Sequence, residues 1–248
     1  MQLSFMTWAE AEAQIRKDPM VIVPIGSTEQ HGPNGLIGTD ALNAEAVAIA
    51  VGKATEAMVG PVIAIGMAQH HLAFSGSITL RPSTMIAFIG DYVFSLARHG
   101  VRKFFFINGH GGNIAPCSTA FSEIYATASL DSTGQVPRVR CVLHNWFDQK
   151  SVKTYADQAF GDKDGSHATA GEVSLTQHLF PDSIRRVNMP PVVKAHRRFT
   201  DAIDYRGLHP DGRIGSEPSL ATPAHGKALF EAAVTDLAAA VRAFRTEP

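Results

Sequence analysis

The chain is poor in cysteine, has no long apolar run and carries no surplus of positive charge, and each shortage removes a class of protein. Two cysteines in 248 residues, Cys117 and Cys141, cannot build a disulfide framework, and they read as buried or free thiols of a reducing compartment. No apolar stretch approaches the roughly 20 residues that span a bilayer. The opening MQLSFMTWAEAEAQIRKD lacks the basic start, apolar centre and small-residue cleavage site of a secretory signal. A cytoplasmic protein is the expectation, with no membrane partner. The formal net charge is −1, and the only basic cluster, Lys194 to Arg198, is explained by an exposed helix or loop face. Nucleic acid binding therefore has little electrostatic support. Hydrophobic residues at 45% against 18% charged leave an ordinary globular protein with a substantial core.

Apolar patterning then gives the elements. Thr7-Trp8-Ala9-Glu10 has the form of a capping box and opens a helix to about Arg16. Val21–Ile25, Val62–Ile65, Val101–Ile107 and Val139–Leu143 read as short buried strands, with a further short one over Ser77–Leu80. Helices are expected from Thr39 or Asp40, from Pro82 to Ala97, from about Ile114 to Leu130, from near Ala170, and from Ala228 to Phe244. Between Asn188 and Gly226 the pattern dissolves into Pro, Gly and charged residues, as in an excursion over the surface or across a subunit boundary. Strands without polar alternation, interleaved with helices, predict a mainly parallel sheet covered on both faces. No linker, repeat or low-complexity tract divides the chain, so residues 1–248 read as one domain.

In such sheets ligands collect beyond the carboxyl ends of the strands. The loop STEQHGPNGLIGTD places Glu29, His31 and Asp40 after the first strand, and His110 in NGHGGN follows the Val101–Ile107 strand. Two carboxylates and two imidazoles can converge there, a set that suits zinc, manganese or iron. An Asp can bridge two ions through its two oxygens, and Asp40 is also well placed to cap the following helix. Two divalent ions carry more charge than two carboxylates and a hydroxide neutralise, which asks for a third carboxylate. Glu172, at a loop-to-helix junction in SHATAGE, is the candidate. His167 beside it suits proton transfer.

Taken in order, PIGSTEQHGPNGLIGTD, HHLAFSGSITL, INGHGGN, SHATAGEVS and GRIGSEPSLATPAHG make the chain resemble the creatininase (creatinine amidohydrolase) family from about Val21 to Gly226. The resemblance implies an α/β fold, a three-layer α/β/α sandwich with a mainly parallel sheet, a homohexamer built as a trimer of dimers, and a hydrolase acting on a C–N amide bond of a small, possibly cyclic, amide. It implies two divalent ions per subunit, zinc first and manganese or iron as alternatives, that activate a hydroxide. Its pattern puts metal ligands on Glu29, His31, Asp40 and His110, with Asp40 as the bridge. Glu172 and His167 match its carboxylate and its proton-transfer histidine. His71, Ser75 and Gly111 are the candidates for contacting substrate or its oxyanion. Creatininases proper resemble NGHxEN at the third motif, with a metal-binding Glu where this chain has Gly112, and the region after Trp146 does not match the tryptophan flap over creatinine. Relatives with NGHGGN include formamide deformylases and a maturation peptidase, and a non-catalytic metal-binding scaffold is the rival of another class.

Overall fold

The computed structural model describes residues 1–192 and 198–248; most of the basic cluster from Lys194 to Arg198 lies outside the described residues. Four strands, β1 (Met20–Ile25), β2 (Met58–Val59), β3 (Lys103–Asn108) and β4 (Arg140–Asn145), form a sheet in the order β2-β1-β3-β4. All their pairings are parallel. The register sets Ile25, Asn108 and Asn145 side by side at the carboxyl edge. Chain order reverses between β1 and β3, so the crevice for a ligand lies at their ends.

Side-chain alternation sorts the core into two faces. Met20, Ile22, Phe105 and Ile107 point one way, onto α2 (Thr39–Thr55), α6 (Ala170–Leu179) and α8 (Pro223–Thr246). Val21, Val23, Ile25, Phe104 and Phe106 point the other way, onto α3 (Pro82–Arg98) and α4 (Ile114–Leu130). This is the three-layer sandwich that unbroken apolar strands require. The first helix, α1 (Trp8–Lys17), starts at the expected capping box, with Thr7 and Glu10 bonded reciprocally. Among the described residues no helix is long and apolar enough to cross a membrane.

Some expected elements change. The run Val62–Ile65 is not a strand: only Ile63 bridges Ile25, and the second strand is Met58–Val59. Gly60 and Pro61 separate the two, and proline has no N–H for the ladder. Ser77–Leu80 is likewise reduced to a bridge between Ile78 and Thr28. Two unexpected helices, α5 (Lys150–Ala159) and α7 (Ala202–Leu208), each bury a single residue, Val152 and Tyr205. One buried residue leaves no periodicity to read. The second of them shows that the Asn188–Gly226 excursion is partly helical.

Helix α2 is unusual in lying very close to the strand ends. A Cβ on Gly26, just past β1, would sit 2.4 Å from the Ala41 nitrogen, and one on Gly109, just past β3, would sit 2.3 Å from the Asp40 carbonyl oxygen. Both positions must stay without a side chain for the first turn of α2 to dock. Gly90, inside α3, has nothing within 4 Å of its would-be Cβ. Opposite signs follow. Gly109→Ala is expected to destabilise by about 1–3 kcal/mol through overpacking, and Gly90→Ala to stabilise by roughly 0.5–1 kcal/mol through helix propensity. Denaturant midpoints of the two variants check this; equal shifts would contradict the close docking of α2.

Candidate metal centre

The loop after β1 folds back on itself. Glu29 N–H donates to Ile37 O at 2.8 Å, Gly35 N–H to His31 O at 3.1 Å and Thr39 N–H to Leu36 O at 3.1 Å. This returns Asp40 to the ligands that precede the turn. Asp40 does not cap α2, as its sequence position suggested: Gly38 is the cap residue and Asp40 lies inside the first turn. Its carboxylate instead reaches sideways, still close to the positive end of the helix dipole, which favours its charge.

Seven side chains converge: Glu29, His31, Asp40, His71, His110, His167 and Glu172. Asp40 Oδ1 is 2.9 Å from His31 Nε2, and Asp40 Oδ2 is 3.1 Å from His110 Nδ1. Glu29 Oε1 is 3.2 Å from His110 Nδ1, 3.2 Å from His71 Nε2 and 3.7 Å from His167 Nδ1. Two groups of possible ligands share Asp40: Glu29, Asp40 and His110, and His31, Asp40 and Glu172. A third group joins Glu29, His31 and His167. Glu172 sits at the start of α6, where Thr169 caps the helix; its Oε2 accepts from Thr169 N and Oγ1, both at 2.9 Å. Asn43 of α2 donates to its carbonyl at 3.1 Å.

Proton counting tests whether these residues fit a metal. His31 Nδ1 lies 3.1 Å from Glu29 O, and His110 Nε2 lies 3.1 Å from Met67 O. A carbonyl oxygen only accepts, so each ring spends its N–H there and turns a lone pair inward, the usual arrangement of a ligand histidine. His110 Nδ1 then faces Glu29 Oε1 at 3.2 Å and Asp40 Oδ2 at 3.1 Å with no proton between them. Ligand atoms about 2.1 Å from one ion stand roughly 3–3.5 Å apart. Both Glu29 oxygens and Asp40 Oδ2 are buried without a hydrogen-bond donor, an expensive state for anions unless a cation is supplied. The residues fit a pair of cations.

Without ions, protons take that role. Burial opposes charge on His31, but the Asp40 carboxylate, by attraction and hydrogen bond, raises it to about 10. His110 is raised well above the ordinary range by Glu29 and Asp40 against the same burial penalty. Burial would raise Glu29, yet His110 and His71 hold it well below the usual carboxylate range. Burial pushes Glu172 up to about 7, with His31 opposing. His167 is driven well below the ordinary histidine value, first by burial and then by the charges of His71 and His31.

A cavity of about 330 Å³ opens onto Asp40, His71, His110, His167 and Glu172, with Gly111 on its wall. Ser75 is not among the residues brought there. It lies on an exposed turn, and it is Ser77 Oγ that accepts the Gln30 N–H, at 3.1 Å. Asn108 and Asn113, passed over beside His110, build its turn: Asn108 bonds His110 through both N and O, and Asn113 donates to Gly26 O. His167 is aimed by its neighbours. Ala168 adopts a left-handed φ of 53°, and Ile214 and Ser216 from the C-terminal excursion bond the His167 carbonyl.

The model of the family described as creatininase, creatinine amidohydrolase, matches residues 4–241. The chain belongs to the creatininase family. That places it among hydrolases acting on C–N bonds. It is 28% identical to the mycofactocin precursor peptide peptidase of Mycobacterium tuberculosis over 93% of this chain and 87% of the relative. Creatinine amidohydrolase of Pseudomonas putida is 28% identical over 75% of each chain. A 3-dehydro-scyllo-inosose hydrolase of Thermotoga maritima is 26% identical over 87% of this chain and 64% of its own. A solved manganese creatininase superposes with a TM-score of 0.88 at 24% identity, covering 99% of each chain. A creatininase variant of Zn–Zn type gives 0.86 at 25%, over 99% of this chain and 98% of that one.

Within this family frame the protonated imidazoles carry a measurable consequence. At pH 7, below the raised value of His31, metal uptake must expel protons from the folded protein. Calorimetric titration with zinc in buffers of different ionisation enthalpy is expected to show release of about one proton per ion on this ground; uptake without release would mean that the rings already turn lone pairs to an open site. At ion concentrations a hundredfold above Kd, stabilisation of about 2.7 kcal/mol should raise Tm by roughly 5–10 °C for a chain of this length, and a chelator should reverse it.

Proposed function

We propose that the protein is a metal-dependent amidohydrolase that cleaves the amide C–N bond of a small molecule with two divalent ions, zinc first, in a homohexamer. The observation that carries this reading is the Asp40 carboxylate, whose two oxygens each meet a different imidazole and belong to different ligand groups. Glu29, Asp40 and His110 would hold one ion, and His31, Asp40 and Glu172 the other. Ions bound there supply Lewis acidity and lower the pKa of water.

The chain's own residues supply the rest. A cavity of about 330 Å³ accepts a small amide or the end of a longer one. His167 turns Nδ1 toward Glu29, so that atom can receive a proton as water adds to the carbonyl and return it to the departing nitrogen. Gly111, on the cavity wall, would offer its N–H to the developing oxyanion. His71 stands behind Glu29, its Nε2 3.2 Å from Glu29 Oε1.

A peptidase or formamide deformylase reading keeps the same centre, and Gly112 favours it over creatinine. A Cβ there would lie 2.4 Å from His110 Nε2 and 2.5 Å from Met67 O, so this loop holds no side chain at the place where creatininases proper carry Glu. The relatives named as peptidases support the same choice.

Purified protein reconstituted with zinc or manganese and offered formamides, lactams, cyclic ureides and short peptides is the test. Hydrolysis of one class supports the reading; a full complement of ions with no C–N hydrolysis would leave a binding scaffold. His167→Ala is expected to retain both ions and lose about 10²–10⁴ in kcat. Loss of an ion with it would make His167 a ligand instead. Asp40→Asn is expected to lose ions and activity together, by elemental analysis and assay.

A further inference from the structure

Gln30 stands between two of the proposed ligands, yet its side chain points away from them into a built, buried socket. It is 7% exposed. Its amide nitrogen lies 2.8 Å from His71 Nδ1, 2.9 Å from His167 Nε2, 3.0 Å from Gly212 O and 3.4 Å from Tyr205 Oη. Its amide oxygen accepts the Gly32 N–H at 2.8 Å. Turning the amide over would set that oxygen against Gly212 O, which also only accepts, so the orientation is fixed. Gly212 is shaped to this amide: it has φ of +87°, and a Cβ there would fall 1.9 Å from Gln30 Oε1.

The hydrogens can be counted. The amide nitrogen has two. Gly212 O takes one. His167 Nε2 also lies 2.9 Å from the Gln30 backbone oxygen, which has no proton to give, so Nε2 of His167 carries the hydrogen and cannot accept from the amide. Tyr205 Oη is the most distant neighbour and itself donates to Gly212 O at 2.7 Å. The second amide hydrogen is left for His71 Nδ1. His71 then carries its proton on Nε2, facing Glu29 Oε1 at 3.2 Å.

We infer that Gln30 is a positioning residue that sets the tautomers of two imidazoles, His71 through its side-chain amide and His167 through its backbone oxygen. His71 turns its Nε2–H side toward the Glu29 carboxylate, 3.2 Å away. His167 becomes an Nε2–H ring with its lone pair at Nδ1, turned toward Glu29 at 3.7 Å. The tautomer assignment stands on these contacts alone; its effect on turnover rests on the amidohydrolase reading. Because Gly212 and Tyr205 come from the C-terminal excursion, the same contacts tie that segment to the centre.

Neutron diffraction from crystals of the zinc-loaded protein tests the assignment directly. Deuterons are expected on Nε2 of both His71 and His167, with both Nδ1 atoms bare; a deuteron on either Nδ1 overturns it, whether or not any substrate is turned over. Two variants address the role. Gln30→Glu removes the donor, and Gly212→Ala displaces the amide without altering either histidine. Each is expected to keep both ions and KM within a few-fold while kcat falls roughly 10–100-fold, as for loss of partners behind a metal ligand. Unchanged kcat, or an equal loss through KM, overturns the positioning role. Wild-type protein with the expected deuterons but no amide hydrolysis would defeat the amidohydrolase reading and leave the tautomers standing.

Discussion

Everything at this centre depends on burying one carboxylate, Asp40, with both oxygens committed. Its side chain is 1% exposed and faces an imidazole on each side. An anion so deep costs several kcal/mol unless matched, and the fold answers in layers. The start of α2 supplies a favourable dipole. Gly26 and Gly109 let that helix end press against the strand ends. The two histidines face the oxygens through His31 Nε2 and His110 Nδ1, at 2.9 and 3.1 Å. Remove any of these and the carboxylate would move or protonate, and the two ligand groups would no longer share a residue.

Much of this was legible in the sequence, and the reasons differ by level. The strands β1 and β3 are built on the apolar runs Val21–Ile25 and Phe104–Ile107, so both faces had to be covered and the layers followed. The helix expected from near Ala170 begins there as α6. What failed was local and weakly patterned: α5 and α7 bury one residue each, and Val62–Ile65 is cut off from the sheet by Gly60 and Pro61. Among site residues, Glu29, His31, Asp40, His110 and Glu172 come together, as ligand chemistry suggested, whereas Ser75 stays on an exposed turn. Gln30 went unread because glutamine is neither a common ligand nor a proton carrier. Its importance lies in where its two hydrogens go, which only a folded chain can show.

The excursion between Asn188 and Gly226 gains a meaning from the same counting. A segment with so few buried apolar residues cannot hold its place by hydrophobic burial alone. It is instead fastened by polar contacts to the two sequence-distant loops of the centre: Gly212 O to Gln30, Ser216 Oγ to the His167 carbonyl and Asn34 Nδ2 to Pro218 O. Buried hydrogen bonds of this kind add only about 1 kcal/mol each to stability, but an unpaired partner costs more. The segment therefore specifies orientation more than it supplies stability, and a substitution there can shift Gln30 and the His167 carbonyl from a distance.

Gly112 bears on the third carboxylate in the same way. Read as a missing ligand, it leaves one ion short of charge. In the folded chain it guards His110, because the contact from His110 Nε2 to Met67 O occupies the space a side chain would need. That contact is what turns His110 Nδ1 toward Glu29 and Asp40. A carboxylate at 112 would thus cost the ring orientation it was meant to complement. Glu172 carries no such conflict. One of its oxygens is already fixed by the Thr169 cap, so the other is pre-positioned with little side-chain entropy left to lose. Supplying the third carboxylate from α6 keeps the loop after β3 thin, and Gly111 and Gly112 leave the cavity beside Asp40 and His110 open.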